Sequence, residues 1–253
     1  MTGTIRAYTR IVCIFTWLFL MFTFRIVCMP LTLFSPTANE ALRRSVMRVF
    51  SKGALLLLGI RIEIRGNPPF PPYLLASNHL AVIDVLVLGS ILGPIFISQG
   101  AVAAWPFIGW VTRATETIFI DRKKLRDVLR VNQLIADKLD AGNGIVIFPE
   151  ATTSEGLELL PFKPALFEAP IQANRPVHYA SLSYESPPGA PSAIDTIVWH
   201  DGVSFMSHFM RLATLRRSKA IVVFCDRPIT AGDRRILARE VQEAVQSGRL
   251  PME

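Results

Sequence analysis

Short apolar runs alternate with helical patterns along most of this chain, and this alternation limits the fold more than any other feature. Runs such as Tyr73–Ala76 and Ile145–Phe148 are short and apolar throughout, as expected of buried strands. Between such runs lie helical patterns such as Asp84–Leu92 and Arg122–Ala141, the second of which ends at Gly142. The alternation predicts an α/β fold with a mixed, mostly parallel sheet flanked by helices. The other predicted strands are Arg61–Arg65, Pro94–Ser98, Thr117–Ile120, Val177–Ser183, Ile194–Trp199 and Ala220–Cys225.

The first 60 residues form a different kind of segment, which we expect to be helical and to anchor the chain to a membrane, leaving residues 61–253 as the α/β domain. Residues 11–34 are apolar except for three threonines, Arg25 and Pro30. This apolar stretch has three interpretations: a signal peptide, a single membrane span, or a hairpin or interfacial anchor. The last is favoured because basic residues flank the stretch on both sides, which places both flanks at the cytoplasmic face. These flanking residues are Arg6, Arg10, Arg43, Arg44, Arg48 and Lys52.

Composition narrows the function classes. The net charge of +7 predicts affinity for anionic partners such as membranes or phosphorylated substrates. The basic residues are dispersed, and no aromatic-basic interleaving or recognised module accompanies them, which argues against nucleic acid as a partner. The three cysteines contain no C-x-x-C spacing, so the sequence predicts neither a zinc site nor a redox pair.

A histidine and an aspartate five residues apart make the first segment that carries chemistry. His79 and Asp84 follow the predicted strand Tyr73–Ala76. On one ideal helix these side chains would point about 140° apart. They meet if His79 lies in the loop before the helix and Asp84 lies in its first turns. The carboxylate would then accept the imidazole N–H and support a histidine that acts as a general base. A solvated loop histidine and a capping aspartate are the alternative.

Two further polar segments also follow predicted strands. Asp121 and Arg122 lie at a predicted strand-to-helix junction, where free N–H groups and a guanidinium suit an anion such as phosphate. Glu150 begins an acid-and-hydroxyl cluster after Phe148-Pro149, which suits a polar pocket for an acceptor. Helix capping would explain either segment without any function. The cluster continues with Thr152, Thr153 and Ser154.

Together these segments resemble the glycerolipid acyltransferase family, whose typical members are bacterial 1-acylglycerol-3-phosphate acyltransferases. The resemblance covers residues 61–183. The family's N-H-x-x-x-x-D block is complete, whereas Glu116 and Ala151 replace the glycines of its G-x-x-x-x-x-R and F-P-E-G-T-x-S blocks. In a fourth, proline-containing block, Tyr179 stands at the usual second proline. The matching residues are Asn78, His79 and Asp84; Arg122; Phe148, Pro149, Glu150, Thr152 and Ser154; and Pro176 and Val177.

The resemblance implies a role for each matched position. His79 would be the general base that deprotonates the acceptor hydroxyl, and Asp84 would orient it. Arg122 would bind the acceptor phosphate. The other implied substrate-binding residues are Asn78, Glu150, Thr152 and Thr153. The hydroxyl would attack an acyl-CoA or acyl-carrier-protein thioester directly, without a metal or other cofactor.

The resemblance further implies an O-acyltransferase of membrane lipid biosynthesis, associated with the cytoplasmic face of the cell membrane. Its expected acceptor is 1-acyl-glycerol-3-phosphate, which would give phosphatidic acid. Lyso-ornithine lipid is the alternative acceptor, because Trp199-His200-Asp201-Gly202 resembles a segment of acyltransferases for that lipid. A non-catalytic membrane lipid-binding protein is the alternative of a different class.

Overall fold

A seven-stranded sheet, with strand order β1-β7-β6-β2-β5-β3-β4, forms the centre of the molecule. The computed structural model describes residues 3–32, 34–105, 108–154, 156–187, 189–200 and 202–252. Neighbouring strands are parallel except β6 and β7, which pair antiparallel. The predicted α/β fold with a mixed, mostly parallel sheet is therefore confirmed. The strands are β1 (Ile60–Arg65), β2 (Tyr73–Ser77), β3 (Ile95–Gln99), β4 (Ile118–Ile120), β5 (Gly144–Ile147), β6 (Val177–Glu185) and β7 (Ser218–Phe224).

Helices cover both faces of the sheet and bury two apolar clusters against it. The central strands β2 and β5 are buried along their whole length, as the apolar runs predict. The helices are α1 (Gly3–Thr32), α2 (Pro36–Leu58), α3 (Ile83–Leu92), α4 (Ile108–Ala114), α5 (Leu125–Asp140), α6 (Glu168–Gln172), α7 (Ala193–Thr196), α8 (Phe205–Thr214) and α9 (Arg234–Ser247). Two 3-10 helices lie at Gly100–Ala104 and Pro164–Phe167.

The strand predicted at Ile194–Trp199 is wrong, because most of this segment forms the short helix α7 and the coil after it. Ser192 caps the helix: its hydroxyl accepts a hydrogen bond from the backbone N–H of Asp195. Ile197 and Val198 are fully buried in the core without joining the sheet. The apolar run therefore predicts correctly that the segment is buried. It does not predict the backbone conformation, which is helical where Ser192 and Asp195 form a helix cap.

Helices α1 and α2 form an antiparallel pair at one side of the molecule. Helix α1 runs without interruption through Arg25 and Pro30, so the turn of the hairpin lies after it, where Ser35 caps α2. The two helices approach closely at Gly53, because a Cβ there would lie 2.2 Å from Nε1 of Trp17. Arg43, one of the predicted basic flanks, is buried and donates to the carbonyl of Pro94.

The two faces of α1 have different surroundings. On its inner face, Arg6 and Arg10 donate hydrogen bonds to backbone carbonyls at the C-terminal end of α8. On its outer face, Ile5, Tyr8 and Val12 begin a row of exposed apolar side chains. Helix α1 is long and apolar enough to cross a membrane by length and composition, and its most apolar stretch has a mean hydropathy of 2.3. These features indicate membrane association.

Candidate active site

The three polar segments predicted from the sequence meet at one edge of the sheet. His79 follows β2, Glu150 follows β5, and Arg122 follows β4. These strands run parallel to their neighbours, so their carboxyl ends lie on the same side, where open α/β sheets place their ligands. The fold thereby gathers residues that lie far apart in the chain.

His79 and Asp84 form a hydrogen-bonded pair. Nδ1 of His79 lies 2.7 Å from Oδ2 of Asp84. The geometry is the one that the spacing predicts: His79 lies in the loop after β2, and Asp84 lies in the first turn of α3. Because the aspartate is fully buried and holds Nδ1, the imidazole is fixed with its other nitrogen directed away from Asp84.

The imidazole of His79 packs on an aromatic ring and keeps an open edge. It stacks on Phe148, with ring centroids 4.1 Å apart and an interplanar angle of 16°. The side chain is 21% exposed, and within the described residues Nε2 has no hydrogen-bond partner. This nitrogen can therefore accept a proton from a molecule that binds at the edge of the sheet.

The carboxylate of Asp84 is held by four donors. Oδ2 accepts from the backbone N–H groups of Leu80 (2.6 Å) and Ala81 (2.9 Å) as well as from His79. Oδ1 accepts from the phenol of Tyr184 at 2.5 Å. Tyr184 was missed by the sequence reasoning, because no local spacing connects it to Asp84, 100 residues earlier.

Glu150 fixes the backbone around His79. Its side chain is 2% exposed; Oε1 accepts from the N–H of His79 at 2.7 Å, and Oε2 accepts from the N–H of Leu160 at 2.9 Å. Burial raises the pKa of the Glu150 carboxyl, while these backbone hydrogen bonds act in the opposite direction. The structure therefore directs both carboxylate oxygens to main-chain donors.

The remaining predicted acceptor-binding residues have different surroundings. Asn78 is buried, and its side-chain amide pairs with both the N–H and the C=O of Leu182 in β6. The hydroxyl of Thr153 donates to the carbonyl of Trp199 at 3.2 Å. Thr152 is exposed at the edge of the site. Of these three, Thr152 has the side chain most open to a ligand.

Arg122 lies beside the loop after β5. Its Nη1 donates to the carbonyl of Ala151 at 2.6 Å, and Gln99 donates to the same oxygen at 3.2 Å. Within the described residues, Arg122 forms no ion pair with an acidic side chain. Burial lowers the pKa of its guanidinium, which nevertheless stays charged near neutral pH. Gln99, at the end of β3, is a neighbour that the sequence motifs did not indicate.

Both positions where the resembled family has glycine adopt the left-handed conformation. The φ angle is 57° at Glu116 and 74° at Ala151. Side chains other than glycine adopt this region at a cost, so both positions have a backbone conformation that suits glycine although glycine is absent. At Glu116, the substituted side chain also gains an ion pair with Lys138 at 2.6 Å.

An aromatic cluster lies next to the His79 loop. The N–H of Trp199 donates to the carbonyl of Leu80, and the indole stacks on His208 at 5.5 Å. Asp201, in the predicted Trp199 segment, lies outside the described residues. Trp105 and Phe205 complete the cluster. Across the described part of the chain, no group of three or more His, Cys, Asp or Glu residues is arranged to hold a metal ion.

Comparison with known proteins agrees with this geometry. The family model described as Acyltransferase matches residues 60–183, which span the His79, Arg122 and Glu150 segments. A lyso-ornithine lipid O-acyltransferase of Rhodobacter capsulatus is 30% identical over 211 residues, covering 81% of this chain and 75% of the relative. A 1-acyl-sn-glycerol-3-phosphate acyltransferase of Neisseria gonorrhoeae is 34% identical over 153 residues, covering 60% of each protein.

The fold is also that of a solved acyltransferase. The crystal structure of the 1-acyl-sn-glycerophosphate acyltransferase PlsC from Thermotoga maritima superposes with a TM-score of 0.63. The match covers 97% of this chain and 99% of that protein at 15% sequence identity, so it shows the shared architecture alone. With the family model and the relatives aligned along most of the chain, this protein belongs to the acyltransferase family and is a glycerolipid-type O-acyltransferase.

Proposed function

We propose that this enzyme moves a fatty acyl chain from an acyl-CoA or acyl-carrier-protein thioester to the hydroxyl of a lysolipid at the membrane surface. The observation that carries the proposal is the His79–Asp84 pair, with Nδ1 held at 2.7 Å and the opposite nitrogen open. Arg122, a cation without an acidic partner in the described residues, supplies a place for an anionic head group.

The proposed reaction is a direct acyl transfer. Nε2 of His79 takes the proton of the acceptor hydroxyl while the hydroxyl oxygen attacks the thioester carbonyl carbon. The tetrahedral intermediate collapses to the ester as the carbon–sulfur bond breaks. The imidazolium then returns the proton to the departing sulfur, giving a thiol. Asp84 keeps the tautomer with its proton on Nδ1 and stabilises the imidazolium, and such base catalysis typically contributes about 10²–10⁴-fold. No metal or further cofactor enters this proposal.

The acceptor proposed first is 1-acyl-glycerol-3-phosphate, with its phosphate on Arg122. The relative from Neisseria gonorrhoeae is named for this acceptor. Thr152, exposed beside Ala151, is the proposed polar contact to the same head group. Asn78, Glu150 and Thr153 would then support the acceptor site through the backbone groups that they hold.

Lyso-ornithine lipid is the second candidate, and a specific observation favours it. The lyso-ornithine lipid relatives from Rhodobacter capsulatus and Pseudomonas aeruginosa each cover 81% of this chain, against 60% for the relative from Neisseria gonorrhoeae. The longer alignments extend beyond the motif region. A guanidinium binds a carboxylate as well as a phosphate, so Arg122 suits either head group.

Residues 1–60 are proposed as the membrane anchor, with residues 61–253 as the catalytic part. The outer face of α1 would lie in the lipid, because its inner face is occupied by α2 and α8. The cytoplasmic side is proposed from the basic residues that flank the apolar stretch. Arg6 and Arg10 are bound to α8 rather than free on a separate segment. This arrangement supports an interfacial helix, which would hold the catalytic part next to the membrane that contains the lysolipid.

Acyl transfer by the purified full-length protein in detergent tests the proposal. Both thioester donors are offered with 1-acyl-glycerol-3-phosphate and with lyso-ornithine lipid, and His79→Ala is assayed beside the parent. His178→Ala is the matched control, because His178 lies in β6 away from the three motif segments. Turnover that is lost in His79→Ala and kept in His178→Ala supports the proposal. The donor and acceptor that give turnover identify both substrates.

Two results would contradict it. Equal turnover by the parent and His79→Ala removes the histidine from the mechanism. A folded parent that binds lysolipid but transfers no acyl group from either donor to either acceptor supports the non-catalytic alternative instead.

A further inference from the structure

Strand β6 extends past the end of its neighbour β2 and reaches the active site. The backbone pairing of the two strands ends at Ser77 and Ala180. The side chain of Asn78 continues it, because its amide accepts from the N–H of Leu182 at 2.7 Å and donates to the C=O of Leu182 at 3.0 Å. Tyr184 lies two residues further along the same face of β6. Asn78 thus fixes the part of β6 that brings Tyr184 to Asp84.

The two carboxylate oxygens of Asp84 accept hydrogen bonds from different donors. Oδ2 carries the contact to His79 and the two backbone N–H contacts. Oδ1 accepts from Tyr184, and no other donor to it lies within the described residues. Rotation about the bond to Cβ moves both oxygens together, so the contact to Oδ1 and the three contacts to Oδ2 resist the same rotation. The Tyr184 contact therefore strengthens the hold on the carboxylate and helps to keep Oδ2 directed at Nδ1 of His79.

A tyrosine at this position is otherwise unfavourable. Tyr184 is fully buried in the apolar cluster between the sheet and α1, α2, α3 and α8. A buried hydroxyl costs free energy unless it is hydrogen-bonded, whereas phenylalanine fills nearly the same volume without that cost. Burial raises the pKa of the phenol well above its ordinary value, and the negative charge of Asp84 acts in the same direction. The phenol therefore stays protonated and serves as a donor.

We propose that Tyr184 is a positioning residue for the acyl transfer, which acts through Asp84 to hold the imidazole of His79 in its reactive orientation. This inference rests on the proposed role of His79 as the general base. Removing the hydroxyl loosens the hold on the carboxylate and, through it, on the imidazole. This loss of positioning slows the chemical step.

Tyr184→Phe tests the inference in the full-length enzyme. We expect kcat to fall about tenfold, the usual size for losing one hydrogen bond to a charged group, with little change in the KM for the acceptor. Tyr179→Phe is the matched control, because it removes a phenol from the same strand on the opposite face of the sheet and should leave both quantities unchanged.

Asp84→Asn supplies the second test, because a residue that acts through Asp84 has little left to contribute once the carboxylate is gone. We expect Tyr184→Phe to cost about tenfold in the parent and less than about twofold in the Asp84→Asn background. Thermal unfolding of each variant verifies that a loss of activity is not a loss of folded protein.

The outcomes separate the two proposals. If the parent is active, His79→Ala is inactive and folded Tyr184→Phe matches the parent in kcat, the role of Tyr184 is overturned and the proposed function stands. Equal losses from Tyr184→Phe in both backgrounds would also overturn it, because the phenol would then act independently of Asp84. An active His79→Ala variant would instead overturn the proposed function.

Discussion

Arg122 and Ala151 are joined by a 2.6 Å hydrogen bond from the guanidinium to the backbone carbonyl, which ties the end of β4 to the loop after β5. Ala151 presents that carbonyl from a left-handed conformation, with φ of 74°. Nη1 of Arg122 is thereby used in a hydrogen bond within the protein. The other guanidinium nitrogens can donate to an anionic head group. The position of the proposed head-group site thus depends on the backbone at Ala151.

Replacing Arg122 with alanine is expected to weaken acceptor use rather than donor use. The loss of a charge-assisted contact should lower kcat/KM for the anionic acceptor by about 10–100-fold, mainly through KM. Arg126→Ala is the control, because it removes the same charge four residues later from an exposed position. Steady-state kinetics with the acceptor varied measures the effect. An unchanged acceptor KM in folded Arg122→Ala would place the head group elsewhere.

Ala151→Gly is expected to stabilise the protein by up to about 1 kcal/mol, because glycine adopts the left-handed conformation without the steric cost of a Cβ. The same change at Ala136, inside α5, should destabilise it by about 1 kcal/mol. Chemical unfolding in detergent measures both free energies. Opposite signs for the two alanine-to-glycine changes confirm that strain at residue 151 is the cause, and a loss of stability at both positions contradicts it.

Glu150→Gln should reduce both stability and activity, although glutamine has nearly the same shape. The carboxylate accepts from two backbone N–H groups, whereas an amide has one oxygen and turns its NH₂ group towards the second donor. We expect a loss of about 1–3 kcal/mol in the free energy of unfolding, together with a lower kcat, because the His79 backbone is released. Glu158→Gln, at an exposed position, is the control. Unchanged values in Glu150→Gln would show that one acceptor suffices.

His208 is expected to make the protein less stable in acid. Burial lowers its pKa to about 4, with the nearby Arg211 guanidinium acting in the same direction. The unfolded chain binds this proton near pH 6.5 and the folded protein only near pH 4, so stability is lost as pH falls through that window. About 2 kcal/mol should be lost between pH 7 and pH 5 from this residue alone.

The variant His208→Phe keeps a ring against Trp199 and cannot take up a proton. Its free energy of unfolding should therefore change less between pH 7 and pH 5 than that of the parent. At pH 7 the change removes the buried Nε2, which has no partner within the described residues, but also the hydrogen bond from Arg211 to Nδ1, so the two proteins are compared by their pH dependence. Unfolding curves at the two pH values measure this, and an identical pH dependence in both proteins would refute the prediction.

Val12→Glu combined with Phe19→Glu should weaken membrane binding at least about tenfold, because both side chains lie on the exposed apolar face of α1. Flotation with vesicles containing anionic lipid measures the bound fraction. Phe70→Glu is the control: Phe70 is more exposed than either residue but lies in the loop before β2. If Phe70→Glu releases the protein and the α1 variant does not, α1 is not the anchor.

The sequence predicts best what depends on neighbouring residues. The His79–Asp84 contact follows from a five-residue spacing together with a helix that begins between them, and the structure has that arrangement. The pairing of Asp84 with Tyr184 depends instead on which strands are neighbours in the sheet. No local pattern contains that information, because the two residues are 100 positions apart.

The predicted acceptor-binding residues also show the difference between what local sequence predicts and what tertiary packing determines. An acid after a buried strand indicates a polar site, but the direction of its oxygens is set by the surrounding backbone, and Glu150 turns both towards main-chain N–H groups. Asn78 likewise faces β6 rather than the open edge. Residue type therefore indicates a candidate site, whereas only tertiary packing decides which of its residues can touch a ligand.

Helix α1 is packed firmly against the rest of the protein. Ala7 and Ile14 are buried in the same core as the sheet, and Arg6 and Arg10 cap the end of α8. Removing α1 would therefore open the protein interior and leave those carbonyls unpaired, rather than release a soluble enzyme. With the outer face of α1 in the bilayer, as proposed, a helix fixed in this way would also fix the tilt of the domain, and His79, the proposed general base, would stay at a constant height above the lipid.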